Sequence, residues 1–414
     1  MGKLAWVPVF FGLRVALAIG LLKLSVSFLP VSGFTVFSQL TLFSALLNVL
    51  ALCGAQNGVI RQAAAARDTG ELLSAQSSAF AIWVAAAPAA LVAVLLGREL
   101  ISTILVGSPA EWPMVVAVTA LVLVGAPGGI WCALLTGRKR VAQSLFAQGS
   151  GLVCGAGAAA WRIMAHDAGG AALAFAGGSL VTLAVAVPFG LRLGLPLVPR
   201  RWRWPEVRIL LRYSAGIAAA TGYASFVAFG LRFLYRDHFG VTQLGYWLAA
   251  SRVSDTSTQL VGLFMIQVFV PHLAMMRDEG ERRAFLVRSW GAAAGVMTCF
   301  LAAFSLASGP LVHIFLSDAY LPAAAIIRIC MIGDVLRVWP SLAMHAAFAN
   351  GQPLRYAGME IGALTVMAVV GAALTAAGDP AALQTAYVVA YALAALAVTA
   401  AFLLRPRSAR PAIA

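Results

Sequence analysis

The sequence predicts an all-α integral membrane protein of about twelve transmembrane helices, folded as two six-helix lobes, 1–198 and 199–414, related by a pseudo-two-fold axis along the membrane normal. Three observations predict it. The chain is 61% hydrophobic and 11% charged with a mean hydropathy of +0.90, whereas a soluble domain carries about 25% charged residues. Apolar runs long enough to cross a hydrocarbon core of about 30 Å recur along it, centred near residues 17, 49, 87, 124, 152, 181, 221, 259, 296, 336, 365 and 392. Short stretches also repeat at one offset: "ARDTGEL" (66–72) and "MRDEGER" (276–282) both write Arg-Asp-x-Gly-Glu, 210 positions apart. "GRELISTILVG" (97–107) pairs with "SGPLVHIFLSD" (308–318), and "LLTGRKRVAQSL" (134–145) with "FANGQPLRYAGM" (348–359), at nearly the same spacing. A repeat of this length implies duplication, and six helices per copy make the copies parallel.

The first run contains Arg14 and Lys23, which interrupt any signal-peptide core, so it reads as a retained helix. The second carries Asn48, Gln56 and Asn57, polar without charge, and closes on "NGVIR" (57–61) and the first Arg-Asp turn. The third to sixth runs are separated by the Gly- and Arg-bearing turns quoted above and by a turn at Arg162. A polar stretch, "LRLGLPLVPRRWRWPEVRILLR" (191–212), divides the halves. The eighth run bears "SRVSD" (251–255), the second Arg-Asp turn follows it, and the tenth bears "IGDVLR" (332–337).

Lys and Arg set the orientation. With a cytoplasmic N-terminus, loops and tails on that side hold 18 bases: Lys3, Arg61, Arg67, Arg138, Lys139, Arg140, Arg192, Arg200, Arg201, Arg203, Arg208, Arg277, Arg282, Arg283, Arg355, Arg405, Arg407 and Arg410. The other side holds three, Arg98, Arg162 and Arg236. This asymmetry places both termini in the cytoplasm, and basic loops facing anionic lipid account for the net charge of +14 without a nucleic-acid partner. The five cysteines fall in apolar runs without metal-ligand spacing, so neither disulfides, a metal nor another cofactor is expected.

Eight bases remain within helices: Arg14, Lys23, Arg212, Arg232, Arg252, Arg288, Arg328 and Arg337. A buried cation costs at least about 2.5–3.5 kcal/mol, so those that do not snorkel are expected to face a cavity, an acid or a pathway. Three acids accompany them, Asp255, Asp334 and Glu360, which leaves the interior positive and suited to an anionic cargo. On the eighth helix Arg252, Asp255 and Gln259 share a stripe, and on the tenth Asp334, Arg337, Ser341 and His345 share another, with Pro340 able to kink it. Arg14 and Lys23 point to opposite faces of helix one. Candidate substrate-binding residues are therefore Arg14, Lys23, Arg252 and Arg337, and candidate ion-coupling residues Asp255, Asp334 and Glu360, for a proton or sodium. A drug or metabolite exporter would call for acids in the first half, which has none in its helices; a polysaccharide polymerase would need catalytic groups on sizeable outer loops.

The bases of helix one, "NGVIR", "SRVSD" and "IGDVLR" with "FANGQPLRY" together resemble Wzx-type flippases, and among them the lipid III flippases of enterobacterial common antigen synthesis, within the multidrug/oligosaccharidyl-lipid/polysaccharide exporter superfamily. The resemblance implies a non-enzymatic carrier in the bacterial inner membrane. Its cargo would be an undecaprenyl-diphosphate-linked oligosaccharide, moved to the periplasmic leaflet by alternating access for O-antigen or related polysaccharide synthesis, with a polysaccharide polymerase as partner. Arg14, Lys23, Asp255, Asp334, Arg337 and Glu360 match charged positions of that family; Arg252 and Arg328 do not.

Overall fold

The structure is a computed structural model that describes residues 6–197, 199, 202, 204–265, 269, 273, 276, 278–349 and 352–404. Lys3, Arg200, Arg201, Arg203, Arg277, Arg405, Arg407 and Arg410, and the side chains of Asn57 and Gln259, lie outside the described residues. Among those described, the fold is entirely helical: α1 (Trp6–Phe28), α2 (Val31–Leu52), α3 (Gln56–Ala65), α4 (Thr69–Leu96), α5 (Arg98–Leu105), α6 (Trp112–Gly125), α7 (Pro127–Gly137), α8 (Val141–Met164), α9 (Ala168–Leu191), α10 (Trp204–Phe264), α11 (Glu279–Leu306), α12 (Ser308–Phe315), α13 (Ala323–Ala349), α14 (Pro353–Ala376) and α15 (Ala382–Leu404). Among the described residues eight stretches are helical, long and apolar enough to cross a membrane, and the chain is a multi-pass membrane protein. Each of the twelve expected centres falls inside a helix; those near 221 and 259 share α10, which Gly240 breaks at φ 82°. The second span lies earlier than expected, because α2 ends at Cys53 in a left-handed conformation and α3 begins a separate helix.

Two of the three repeated pairs adopt matching local structures; the third, 134–145 with 348–359, includes Asn350 and Gly351, which lie outside the described residues. In the first Arg-Asp turn Asp68 caps α4 by accepting the Glu71 N–H at 2.8 Å, while the Glu71 carboxylate accepts the Arg67 N–H at 2.7 Å. In the second, Asp278 caps α11 by accepting the Glu281 N–H at 2.7 Å. The motif is thus a helix start written twice, with a carboxylate on the N-cap and another in the first turn. The second pair of stretches forms the short helices α5 and α12, each followed by a 3₁₀ turn, at Pro109–Glu111 and Asp318–Tyr320.

Packing divides the chain into two compact units, Met1–Ala249 with Pro310–Leu321, and Ala250–Gly309 with Pro322–Ala414. This packing boundary at 249 is a different property from the repeat boundary expected at 198, which concerns symmetry. The first unit is built on close helix contacts. A methyl added to Gly151 on α8 would overlap Thr182 and the Gly178 carbonyl of α9, so glycine lets the two backbones approach. Trp131, fully buried, packs edge-on against Phe80 at 6.2 Å. The second unit has its core on Met265, Phe269, Leu273, Met297, Val338 and Leu342.

Candidate functional site

In the second unit α13 carries Asp334, Arg337, Ser341 and His345, each about one turn from the next. All four line one cavity of about 260 Å³ together with Thr258, Val261, Met265, Met297 and Val338. The stripe read from the spacing on this helix is therefore a cavity wall. Asp334 is 1% exposed, and both of its oxygens are used: Oδ2 accepts from the Ser254 hydroxyl and Oδ1 from the Tyr387 hydroxyl, each at 2.7 Å. Arg337 reaches the same tyrosine with Nη1 at 3.5 Å and lays its guanidinium over the Tyr391 ring, 5.1 Å from the centroid. Among the described residues Asp334 and Arg337 form no direct ion pair; Tyr387 stands between them. His345 bonds the Ser341 carbonyl at 2.7 Å through Nδ1, which leaves its other ring nitrogen available to the cavity.

Glu360, on α14, is half-buried and within electrostatic range of Arg337, His345 and Tyr356. Its nearest helical neighbours offer no base, so the tertiary fold supplies one. The eighth-run stripe is placed differently from its reading. Arg252 and Asp255 interact electrostatically with each other, and Asp255 acts on Asp334 at a distance, yet neither lines the cavity. The face of α10 that does so bears Thr258 and Val261, with Met265 just beyond the helix; Ser254, one turn before Thr258, reaches Asp334.

Tyr387 and Tyr391 were missed in sequence. Their signal is "TAYVVAY", two phenols at i and i+4 in the otherwise apolar α15. Their rings meet edge-on at 4.9 Å.

The first unit places its two sequence-predicted cations apart. Arg14 is exposed on α1, with no hydrogen-bond partner among the described residues. Lys23 donates to the carbonyl of His313 at 2.6 Å and to that of Leu316, at the C-terminus of α12. Ser317 donates to the Val26 carbonyl at 3.0 Å, and Tyr320 is buried edge-on between Phe34 and Tyr246. Burial holds the Tyr320 phenol above its usual pKa. Lys23 thus clamps the α12 segment onto α1. Two further arginines behave similarly. Arg236 sits inside α10, not in a turn, and donates to the Thr103 and Ile104 carbonyls at 2.8 and 3.1 Å. Arg232, 7% exposed, donates to Gln39 at 3.3 Å and lies over the Trp247 ring. Among the described residues no group of three His, Cys, Asp or Glu is placed to hold a metal ion.

Comparison with known proteins follows this geometry. Residues 27–325 match the model of the polysaccharide biosynthesis protein family. No curated protein matches the chain. Among solved structures, an inward-facing multidrug resistance MATE family transporter of the MOP superfamily aligns with TM-score 0.69 and 13% identity, covering 95% of this chain and 96% of that one. The lipid II flippase MurJ, in an inward closed conformation, aligns with TM-score 0.65 and 12% identity over 96% of this chain and 87% of that one. A MOP superfamily transporter from Pyrococcus furiosus with a binding pocket of reverse polarity aligns with TM-score 0.64 and 12% identity over 96% of this chain and 94% of that one. At such identities the likeness is one of fold.

Proposed function

The chain belongs to the polysaccharide biosynthesis protein family, and from that premise we propose that it is a flippase carrying an undecaprenyl-diphosphate-linked oligosaccharide from the cytoplasmic to the periplasmic leaflet of a bacterial inner membrane. The observation that carries the proposal is the coincidence of that family with a MurJ- and MATE-like membrane fold, because a polysaccharide precursor made inside must cross the bilayer to be used outside. Transport proceeds by alternating access of two six-helix lobes, 1–198 and 199–414, with both termini cytoplasmic. The matching helix starts at Asp68 and Asp278 and the paired short helices support this internal symmetry.

The cations bind the diphosphate. Arg337 lines a polar cavity, and a guanidinium suits phosphate oxygens because its planar donors pair with two of them. Arg14, exposed on α1, is the second contact. Lys23 is already engaged by two carbonyls, and Arg252 lies off the cavity wall, so these two are secondary. Asp334, Asp255 and Glu360 form the coupling group. A proton or sodium ion taken up at Asp334 competes with the hydrogen bonds it accepts from Ser254 and Tyr387, and Tyr387, which also accepts from Arg337, passes the change on to that guanidinium.

Proteoliposomes loaded with lipid-linked oligosaccharide test the proposal. Translocation dependent on the protein supports it, and acceleration by an imposed proton or sodium gradient supports coupling. Absence of translocation, with efflux of small cations instead, establishes the alternative reading as an ion-coupled drug exporter, which the multidrug transporter of similar fold keeps in view. Complementation of strains lacking defined flippases then identifies the sugar by which surface polysaccharide returns.

A further inference from the structure

The first unit contains a second, larger cavity that the proposed transport does not use. It measures about 710 Å³ and lies along α1, α8 and α9, with Phe10, Leu13, Phe146, Gly149, Val153 and Phe189 in its wall. Phe146 and Val153 are 62% and 43% exposed, so the groove opens on the surface of its unit. Gly149 keeps it deep: among the described residues only the Phe10 ring lies near the position a side chain would take.

One end of the groove is basic. Arg140 directly precedes α8, whose first turns supply Ala142 and Gln143 to the wall. Lys139, exposed, sits beside it at φ 60°, a left-handed position where glycine is the usual residue, so a charged side chain is kept at a backbone cost. Arg192, exposed at the end of α9, lies over the ring of Phe189 at 5.8 Å, and Phe189 is itself part of the wall. Lys139 and Arg192 have no hydrogen-bond acceptor among the described residues. Their neighbour Arg138 is differently used, donating to the Ala66 carbonyl at 2.9 Å.

We propose that this groove is a seat for one anionic phospholipid, an acyl chain lying along α1 and α8 and the phosphate held by Lys139, Arg140 and Arg192. An apolar trough ending in cations at helix ends complements a lipid with a charged head and an apolar tail, and basic residues at the cytoplasmic surface attract anionic headgroups. All three walls belong to one compact unit, so the groove does not depend on movement between units to exist. That favours a resident lipid over a transported one.

Native mass spectrometry of the full chain after reconstitution in equal mixtures of dioleoylphosphatidylglycerol and dioleoylphosphatidylcholine tests the seat. One phosphatidylglycerol should be retained in at least tenfold preference. The Lys139→Gln/Arg140→Gln/Arg192→Gln variant should lose the preference, and Ser150→Phe/Val153→Phe, at exposed or half-buried positions of the groove, should lose the lipid. Removing Arg282, Arg283 and Arg288 as glutamines should change neither. Equal retention of both lipids by the wild type overturns the proposal, as does an undiminished preference in the first variant. Displacement of phosphatidylglycerol by a polyprenyl diphosphate at a lower concentration than phosphatidylglycerol itself assigns the groove to the cargo and likewise overturns it. Lipid retention is read without transport, so failure here leaves the proposed flippase activity untouched.

Discussion

In the first compact unit Lys23 and Arg236 each end on backbone carbonyls at the close of a short helix, α12 and α5. In the second, Arg337 ends on a tyrosine that is itself bound to a buried carboxylate. Both arrangements make an intramembrane cation tolerable, by different physics. A helix C-terminus offers unsatisfied carbonyls and the negative end of the helix dipole, neither of which can change its protonation. A carboxylate and two phenols can lose or gain a proton or exchange partners. Charge placed on carbonyls therefore fixes structure, and charge placed in a side-chain network can report and respond.

The strongest way to break this comparison is Arg337→Gln. Translocation in proteoliposomes should fall to background while the protein inserts and melts normally, and Arg337→Lys should recover little, because an ammonium neither grips phosphate bidentately nor stacks on Tyr391 in the same way. Normal translocation by both variants would reduce Arg337 to a structural cation like those of the first unit.

Next in size is Asp334→Ala, which removes the carboxylate that accepts from both the Ser254 and Tyr387 hydroxyls in a buried place. A hydrogen bond to a charged group contributes about 1.5–3 kcal/mol, so thermal unfolding should shift markedly. A double-mutant cycle of Asp334→Asn with Tyr387→Phe should show a coupling of about 0.5–3 kcal/mol; additive effects would mean that the network is not a unit.

Lys23→Met sharpens the other side. Two charge-assisted bonds to carbonyls are lost, worth about 1.5–3 kcal/mol each before relaxation and solvent exposure discount them, and the expected reading is a lower unfolding temperature with the translocation rate per folded molecule retained. A collapse of translocation at unchanged stability would return Lys23 to the substrate.

The smallest effects come from the paired caps. Asp68→Ala and Asp278→Ala should each cost about 1 kcal/mol, and near-equality is the expected result if the repeat preserves the same local function. Single cysteines at the same two positions should be shielded from an impermeant reagent added outside intact cells; labelling of either would reverse the assigned topology.

Local rules explain what could be read along the chain. Apolar length identifies membrane helices because a residue advances about 1.5 Å in a helix and the hydrocarbon core sets the count. The stripe on α13 is legible because 3.6-residue periodicity makes Asp334, Arg337, Ser341 and His345 neighbours on one face, and the four line one cavity. On α10 the same rule makes Arg252 and Asp255 neighbours, and they do interact, but the cavity takes the adjacent face, bearing Thr258 and Val261. Periodicity relates residues of a helix to each other and leaves open how that helix is turned toward its neighbours.

By itself, the sequence determined the membrane-spanning class, the repeated helix starts and the inventory of charge within the helices, since each follows from composition or from residues a few positions apart. The tertiary structure alone decided what those charges do. Ser254 and Asp334 are 80 positions apart, Tyr387 and Asp334 53, and Lys23 and the His313 carbonyl 290. A cation becomes a clamp or part of a cavity according to which distant helix packs against it, and packing orientation depends on the whole set of contacting side chains, not on any short stretch of the chain.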